Sequence, residues 1–375
     1  MARGFHAAGD ILVTQTSDGT DLNQLWTDYQ AALALWNAKR DTLVSFLTYR
    51  TTDLTEQMYD SGEIGDFEPA TEYGVPVGIR PGVKPTVIGY DFGWFDLAGR
   101  FTWKFLAKST AAQLNAYTNM ALEADNRMVF KEVMRTLFRN DRRTAEEGHT
   151  VYPFYAGQVG DKPPDYGTTV FADQHNHYVT SGAATFTNDI AGITDLNALI
   201  GLVGEHGYTP ANGYRVVLMV NKAQGDYIRL IRSEVNGGPA TSLYDFVPAA
   251  GTSPFLLPVN MQVVSGQQPP NSLNGLNVIG SYGDVLVVQD EYIPAGYMVC
   301  FATGGLESLT NPIGIREDAI ASLRGLKLVK GREPDYPLIE SYYTRGFGTG
   351  VRKRGAGAIM QITASPTYTA PAVYA

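Results

Sequence analysis

The sequence predicts an α+β fold, and three observations carry that prediction. The 48 residues between Gly99 and Gly148 contain neither glycine nor proline, in a chain of 375 residues with 40 glycines and 20 prolines, so they read as one long helix. Residues 51–100, just before it, crowd acids with chain breakers and read as short extended pieces. Beyond it, apolar runs such as Tyr214–Val220 alternate with helical stretches, the pattern of a compact α/β unit.

In chain order, Leu22, Leu25, Trp26, Tyr29, Ala32, Leu33 and Trp36 recur at spacings of three and four behind Asp21, a suitable N-cap. They predict an amphipathic helix running to about Tyr49, whose stripe needs a partner surface within the chain or on a neighbour. Residues 51–100 hold Asp53, Glu56, Asp60, Glu63, Asp66, Glu68 and Glu72 among many glycines and prolines. That density of breakers excludes a long helix, and a long β-hairpin using Thr86–Tyr90 and Gly93–Leu97 suits it. With so little apolar face, about fifty such residues form either a disordered segment or an arm laid on another molecule.

The long helix is expected from about Thr110 to Asn140, with Ser109 or Thr110 as cap. Its stripe is Leu114, Tyr117, Ala121, Ala124 and Met128, continued by Met134, Leu137 and Phe138. Arg135, Arg139, Arg142 and Arg143 gather at the end where the helix dipole favours cations. Residues 151–190 are aromatic and polar and are read as β-rich. A compact α/β unit is expected over 191–320, with helices at Thr194–His206 and Lys222–Val235 and strands at Tyr214–Val220, Asp284–Val288 and Tyr297–Ala302. Leu326–Ile362 returns to strand alternation, with Ala356, Ala358, Met360 and Ile362 on one face.

A net charge of −9 argues against a general nucleic-acid-binding protein, which is usually basic. The charge is uneven. Residues 1–70 carry 4 basic and 11 acidic side chains, and residues 313–375 carry 9 and 5, so the two ends complement each other in sign. The single cysteine, Cys300, lies in an apolar run and is expected to be a buried, inert thiol. No signal peptide and no apolar run long enough for a membrane span is visible, so synthesis and folding in a cytoplasm are expected.

Few local patterns point to chemistry. His175 and His177, at i and i+2, face one side of a strand and are the most metal-like feature, with His149, Asp173 and Asp189 nearby in sequence. A structural histidine pair is favoured over a metal pair, because the chain has five histidines and no HExxH pattern. Gly346–Gly350 spaces its glycines as GxGxG and is followed by strand alternation, so it is read as close backbone approach in a crowded sheet rather than a phosphate loop. Arg352, Lys353 and Arg354, beside Arg345, are read as strand charges that meet carboxylates of an adjacent copy. No GxSxG elbow occurs, and no catalytic, cofactor or metal residue is assigned.

The order of parts resembles the major capsid proteins of tailed bacteriophages with the Hong Kong 97 fold. The phrases Glu72–Pro81 (EYGVPVGIRP), Phe171–Tyr178 (FADQHNHY) and Tyr343–Ala358 (YTRGFGTGVRKRGAGA) are similar to blocks of actinobacteriophage capsid subunits. The resemblance implies an N-arm over residues 1–50, an E-loop over 51–105, a peripheral domain with its spine helix over 106–190, an axial domain over 191–320, and return strands with a tail over 321–375. It implies a structural protein, not an enzyme, that builds pentamers and hexamers of itself into an icosahedral shell around double-stranded DNA. Assembly is then expected in the host bacterial cytoplasm, with the virion capsid as destination. A scaffolding protein is expected to be separate, since the arm begins near Met1; portal and decoration proteins are further expected partners, and no membrane is. Subunit contacts are expected at Trp26 and Trp36 of the first helix, at Glu68, Glu72, Arg80 and Lys84 of the arm, and at Arg345, Arg352, Lys353 and Arg354 of the return strands. Lys84 is the one lysine of residues 51–100, with no identifiable partner, and no covalent crosslink is expected. An encapsulin-type compartment shell is the alternative reading, and a metal-dependent enzyme using His175 and His177 a distant one.

Overall fold

A computed structural model describes residues 13–38, 41–58, 72, 74, 86–251, 268–331 and 338–374. Its helices are α1 (Leu22–Ala38), α2 (Thr42–Leu47), α3 (Trp103–Lys108), α4 (Ala111–Phe138), α5 (Ile190–Gly204) and α6 (Lys222–Ile228). The first strands are β1 (Thr48–Thr51), β2 (Thr55–Met58), β3 (Thr86–Gly89), β4 (Gly93–Thr102), β5 (Arg143–Thr144), β6 (Thr150–Val151) and β7 (Tyr178–Thr180). They are followed by β8 (Arg215–Val220), β9 (Phe246–Pro248), β10 (Ser272–Leu273), β11 (Leu276–Tyr282) and β12 (Val285–Gln289). The last are β13 (Tyr297–Thr303), β14 (Ile313–Glu317), β15 (Lys327–Lys330), β16 (Leu338–Val351) and β17 (Gly357–Gln361). The chain forms two compact units, one of Met1–Asp41, Phe92–Glu132 and Arg316–Gly348, the other of Thr42–Asp91, Val133–Ile315 and Thr349–Ala375.

In the first unit, Asp21 caps α1 by accepting the Asn23 amide at 2.7 Å. The stripe of α1 then splits between two small cores. Leu25 packs with Val13, Leu106 and Leu114, while Leu33 packs with Leu326 and Leu328, flanked by Trp26 and Trp36. The helix ends at Ala38 rather than near Tyr49. The reason is visible at residues 43–47, which are buried on every side rather than along a stripe, so they form a separate short helix in the other unit.

Thr110 caps α4 reciprocally with Gln113: the Gln113 amide donates to the Thr110 hydroxyl, and the Gln113 carboxamide accepts the Thr110 amide. Ser109 instead donates to the Phe105 carbonyl at the end of α3. The 28 residues of α4 span about 42 Å at 1.5 Å per residue. Its buried face is Leu114, Thr118, Ala121, Asp125 and Val129, so two polar residues stand where sequence placed Tyr117 and Ala124. Tyr117 is exposed. Within this unit β4 and β16 make a long antiparallel ladder, from Thr102 opposite Leu338 to Gly93 opposite Phe347. Gly346 lies under Phe92 and Trp94, whose rings leave no room for a Cβ, as close backbone approach required.

The second unit holds the larger core. Eight strands run in the order β10-β11-β12-β8-β13-β17-β7, with β9 also paired to β11. The pairs β8–β12 and β7–β17 are parallel, and β13 is antiparallel to both of its neighbours. Helix α5 buries Ile193, Leu196, Leu199 and Val203 against Val216, Leu218, Met298, Cys300, Ala358 and Met360. It begins at Ile190, four residues before the expected start, because the Asp189 side chain accepts the Gly192 amide as a cap. Helix α6 stops at Ile228, short of Val235, since the following backbone turns back to bond Phe246 to Ile231. Cys300 is fully buried, and that burial pushes its thiol up to about 12.

The end of α4 enters this unit with Val133, Met134, Leu137 and Phe138 all fully buried. Its last carbonyls are satisfied by tyrosine hydroxyls, Tyr368 donating to Phe138 and Tyr178 to Arg139. Residues 151–190 hold little strand beyond β6, at its start, and β7. Here Asp173 accepts the amides of Gly160 and Asp161, and Asp165 accepts that of Phe171, so side chains occupy donors a ladder needs.

Candidate assembly surfaces

Of the residues singled out by sequence, Glu68, Arg80 and Lys84 lie outside the described residues, as does most of the arm. Glu72 is described and exposed. Trp26 and Trp36 are half-buried against their own unit, and the Trp36 indole donates to Asp125 at 3.0 Å. Asp125 also pairs with the buried Arg345 at 2.6 Å, so one carboxylate on α4 holds a tryptophan of α1 and an arginine of β16.

In the second unit, Arg354 is buried and grips both oxygens of Asp161, and Arg142 approaches the same carboxylate at 3.2 Å. Burial alone raises a carboxyl pKa, but the two guanidiniums outweigh it and hold Asp161 below its ordinary value. Arg352 pairs with Glu56 at 2.7 Å and lies over the Tyr49 ring. Tyr49 and Tyr90 share a hydrogen bond of 2.6 Å beside them, and burial pushes Tyr49 up to about 12. Lys353 sits over Tyr214. Arg345, Arg352 and Arg354 therefore each meet a carboxylate of their own chain.

A run of exposed apolar side chains lies elsewhere. Both faces of β4 are open over much of its length, with Trp94 at 50%, Phe95 at 39% and Leu97 at 47% exposure. A long, apolar strand open on both faces is rare in a protein that works alone. In the second unit, Tyr227, Leu230, Leu243 and Tyr244 are also exposed, and Val235 is 94% exposed. Sequence reading did not single out these residues. The adjacent bulky pair Trp94-Phe95 was the available signal, because a half-buried strand alternates and cannot hide both.

A separate cluster joins His175, His177, Glu205 and His206, whose ligand atoms all lie within 4.8 Å of one another. The three Nε2 atoms form a triangle with edges of 3.0, 3.0 and 3.2 Å. Glu205 Oε1 is 3.0 Å from His175 Nε2. Burial holds His175 below the ordinary imidazole value and His177 well below it, and takes His206 to about 4. Burial also raises Glu205. The other nearby candidates are engaged elsewhere: Asp173 binds loop amides, Asp189 caps α5, and the His149 side chain packs beside Gly89.

Among solved structures, a chain from Mycobacterium phage Patience is 41% identical, with a TM-score of 0.78, over 100% of this chain and 97% of that one. The mature capsid of bacteriophage PhiM1 shares the fold at 9% identity and a TM-score of 0.50, over 88% of this chain and 89% of that one. An encapsulin complex from Synechococcus elongatus aligns at 11% identity and 0.47, over 91% and 98%, too slight a likeness to bear on function. No family model and no curated protein matches the sequence. Full-length identity of this order, together with the long helix α4 and the mixed sheet, places the chain by descent rather than by fold alone: it belongs to the major capsid proteins of tailed bacteriophages, of the Hong Kong 97 fold.

Proposed function

We propose that this shell protein closes on its neighbours chiefly through β4 and the arm that precedes it. The observation that carries this reading is the exposure of Trp94, Phe95 and Leu97 on a strand whose described partner is β16 alone. Burying apolar surface yields about 25 cal/mol per Å², so three such side chains covered by an adjacent copy contribute several kcal/mol per contact. On this reading residues 51–105 are the overlapping E-loop, residues 1–50 the N-arm, α4 the spine of the peripheral domain and 191–320 the axial domain. The exposed Val235, Leu243 and Tyr244 then pack about the axes of pentamers and hexamers.

The remaining partners follow from the same role. A separate scaffolding protein sets the curvature, a portal occupies one vertex, and decoration proteins bind the outside. Assembly proceeds in the host bacterial cytoplasm, and a net charge of −9 lets packaged DNA lie close without being gripped. The role is structural, with no reaction catalysed.

Negative-stain microscopy of the chain, with and without a co-expressed scaffold, tests this. Wild-type protein should form closed shells, and a Trp94→Ala, Leu97→Asp double variant should give soluble subunits of unchanged circular dichroism and no shells. Shells from the double variant would remove β4 from the proposal. Wild-type monomers under every condition would remove the assembly reading itself.

A further inference from the structure

We infer that His175, His177, His206 and Glu205 form a structural site for one divalent transition-metal ion, with Zn²⁺ the ion that best suits its ligands. Three imidazole nitrogens and one carboxylate oxygen meet at a common point. That donor set and number match a tetrahedral zinc site. Nitrogens bound to Zn²⁺ at about 2.0–2.1 Å stand roughly 3.3 Å apart in a tetrahedron. The edges here are 3.0, 3.0 and 3.2 Å, so ring shifts of a few tenths of an ångström admit the ion.

Hydrogen bonds alone cannot span all three edges of the triangle. His177 is fully buried, and its Nδ1 lies 2.7 Å from the Gly357 carbonyl, which can only accept. The His177 proton is therefore on Nδ1, and its Nε2 presents a lone pair to the centre. A neutral ring has one N–H and one lone pair. Whichever tautomers His175 and His206 take, the three edges cannot all become hydrogen bonds, because each Nε2 directs a single lone pair or a single N–H toward the centre. A cation at the centre uses three lone pairs at once. The His177 contact with Gly357 is then the outer hydrogen bond that fixes a ligating imidazole.

The surroundings favour such an ion. Glu205 Oε1 is buried and lacks a hydrogen bond of good geometry, so the carboxylate has oxygen to give. Glu205 and His206 follow the last turn of α5, where the helix dipole is negative. Phe171 stacks on His206 at 4.3 Å and Tyr155 at 5.6 Å, which fixes the ring. All four ligand positions come from the chain, leaving none for a substrate, which marks the site as structural rather than catalytic. It would pin the end of α5 to the loop entering β7.

Wild-type chain, purified without chelator and dialysed, is assayed for zinc by mass spectrometry and then exchanged with Co²⁺. The expected result is about one zinc per chain, a tetrahedral Co²⁺ visible spectrum, and a melting temperature lowered by a strong chelator. Two half-buried ligands give variants, His175→Gln and Glu205→Gln, in which zinc affinity should fall on the order of 100-fold and the chelator should no longer shift melting. Wild type holding less than about a tenth of an ion per chain, with no Co²⁺ spectrum and no chelator effect, would overturn the site. So would zinc retained equally by wild type and a folded His175→Gln variant. If neither variant folds, the wild-type cobalt spectrum and chelator shift decide alone.

Discussion

At Asp161 a single carboxylate answers two arginines, one of them buried. Replacing it by asparagine leaves the Arg354 charge in the interior without a counter-ion, and removing one partner of a buried pair costs about 3–5 kcal/mol. The folded-state pKa of Asp161 is lowered, so its stabilisation is fully present above the ordinary value of 3.8 and is lost as pH falls through the lower folded value. Thermal unfolding of Asp161→Asn against wild type should therefore show a large gap at pH 7 that narrows below pH 3.8; a gap constant with pH would mean the loss is one of packing. Sequence located Arg354 but not this partner, because 193 residues separate the two and nothing local links them. The histidine cluster was hidden likewise. His175 and His177 announced themselves at i and i+2, whereas His206 and Glu205 arrive at the end of α5.

Among elements, α4 was the most legible, because a long run without glycine or proline leaves few alternatives to a helix. Which face it buries was less so: Thr118 and Asp125 take inward positions because Tyr343 and Arg345 of β16 supply their partners. Proline at Ala121, a buried position of this helix, removes a backbone hydrogen bond and costs about 3 kcal/mol or more. Ala121→Pro should yield no shells by negative-stain microscopy, and soluble, assembly-competent protein would contradict a continuous helix in the working state. The first helix and α6 were read too long, since periodicity does not register where the chain must turn to meet a distant strand. Residues 151–190 were read as strand on aromatic content, but aspartates that hydrogen-bond loop amides settle their form.

For the molecule as a whole, the order of elements resembled that of phage shell subunits before any contact was known, and the full-length likeness to a phage protein agrees. The charge asymmetry along the chain proved less informative. Three of the four basic residues singled out at the C-terminal end pair with acids of the same chain, and of those acids Glu56 alone belongs to the acidic N-terminal stretch. The open strand β4 has a further consequence, for timing. A subunit that keeps Trp94 and Leu97 in water gains from association only when several neighbours arrive together, since each contact alone must offset the lost freedom of a whole molecule. Growth should thus need a nucleus and show a threshold: light scattering against subunit concentration should stay flat and then rise abruptly, and a rise proportional from zero would deny it. Below that threshold the protein is a dilute pool of unfinished parts, and no shell begins until its concentration has passed it.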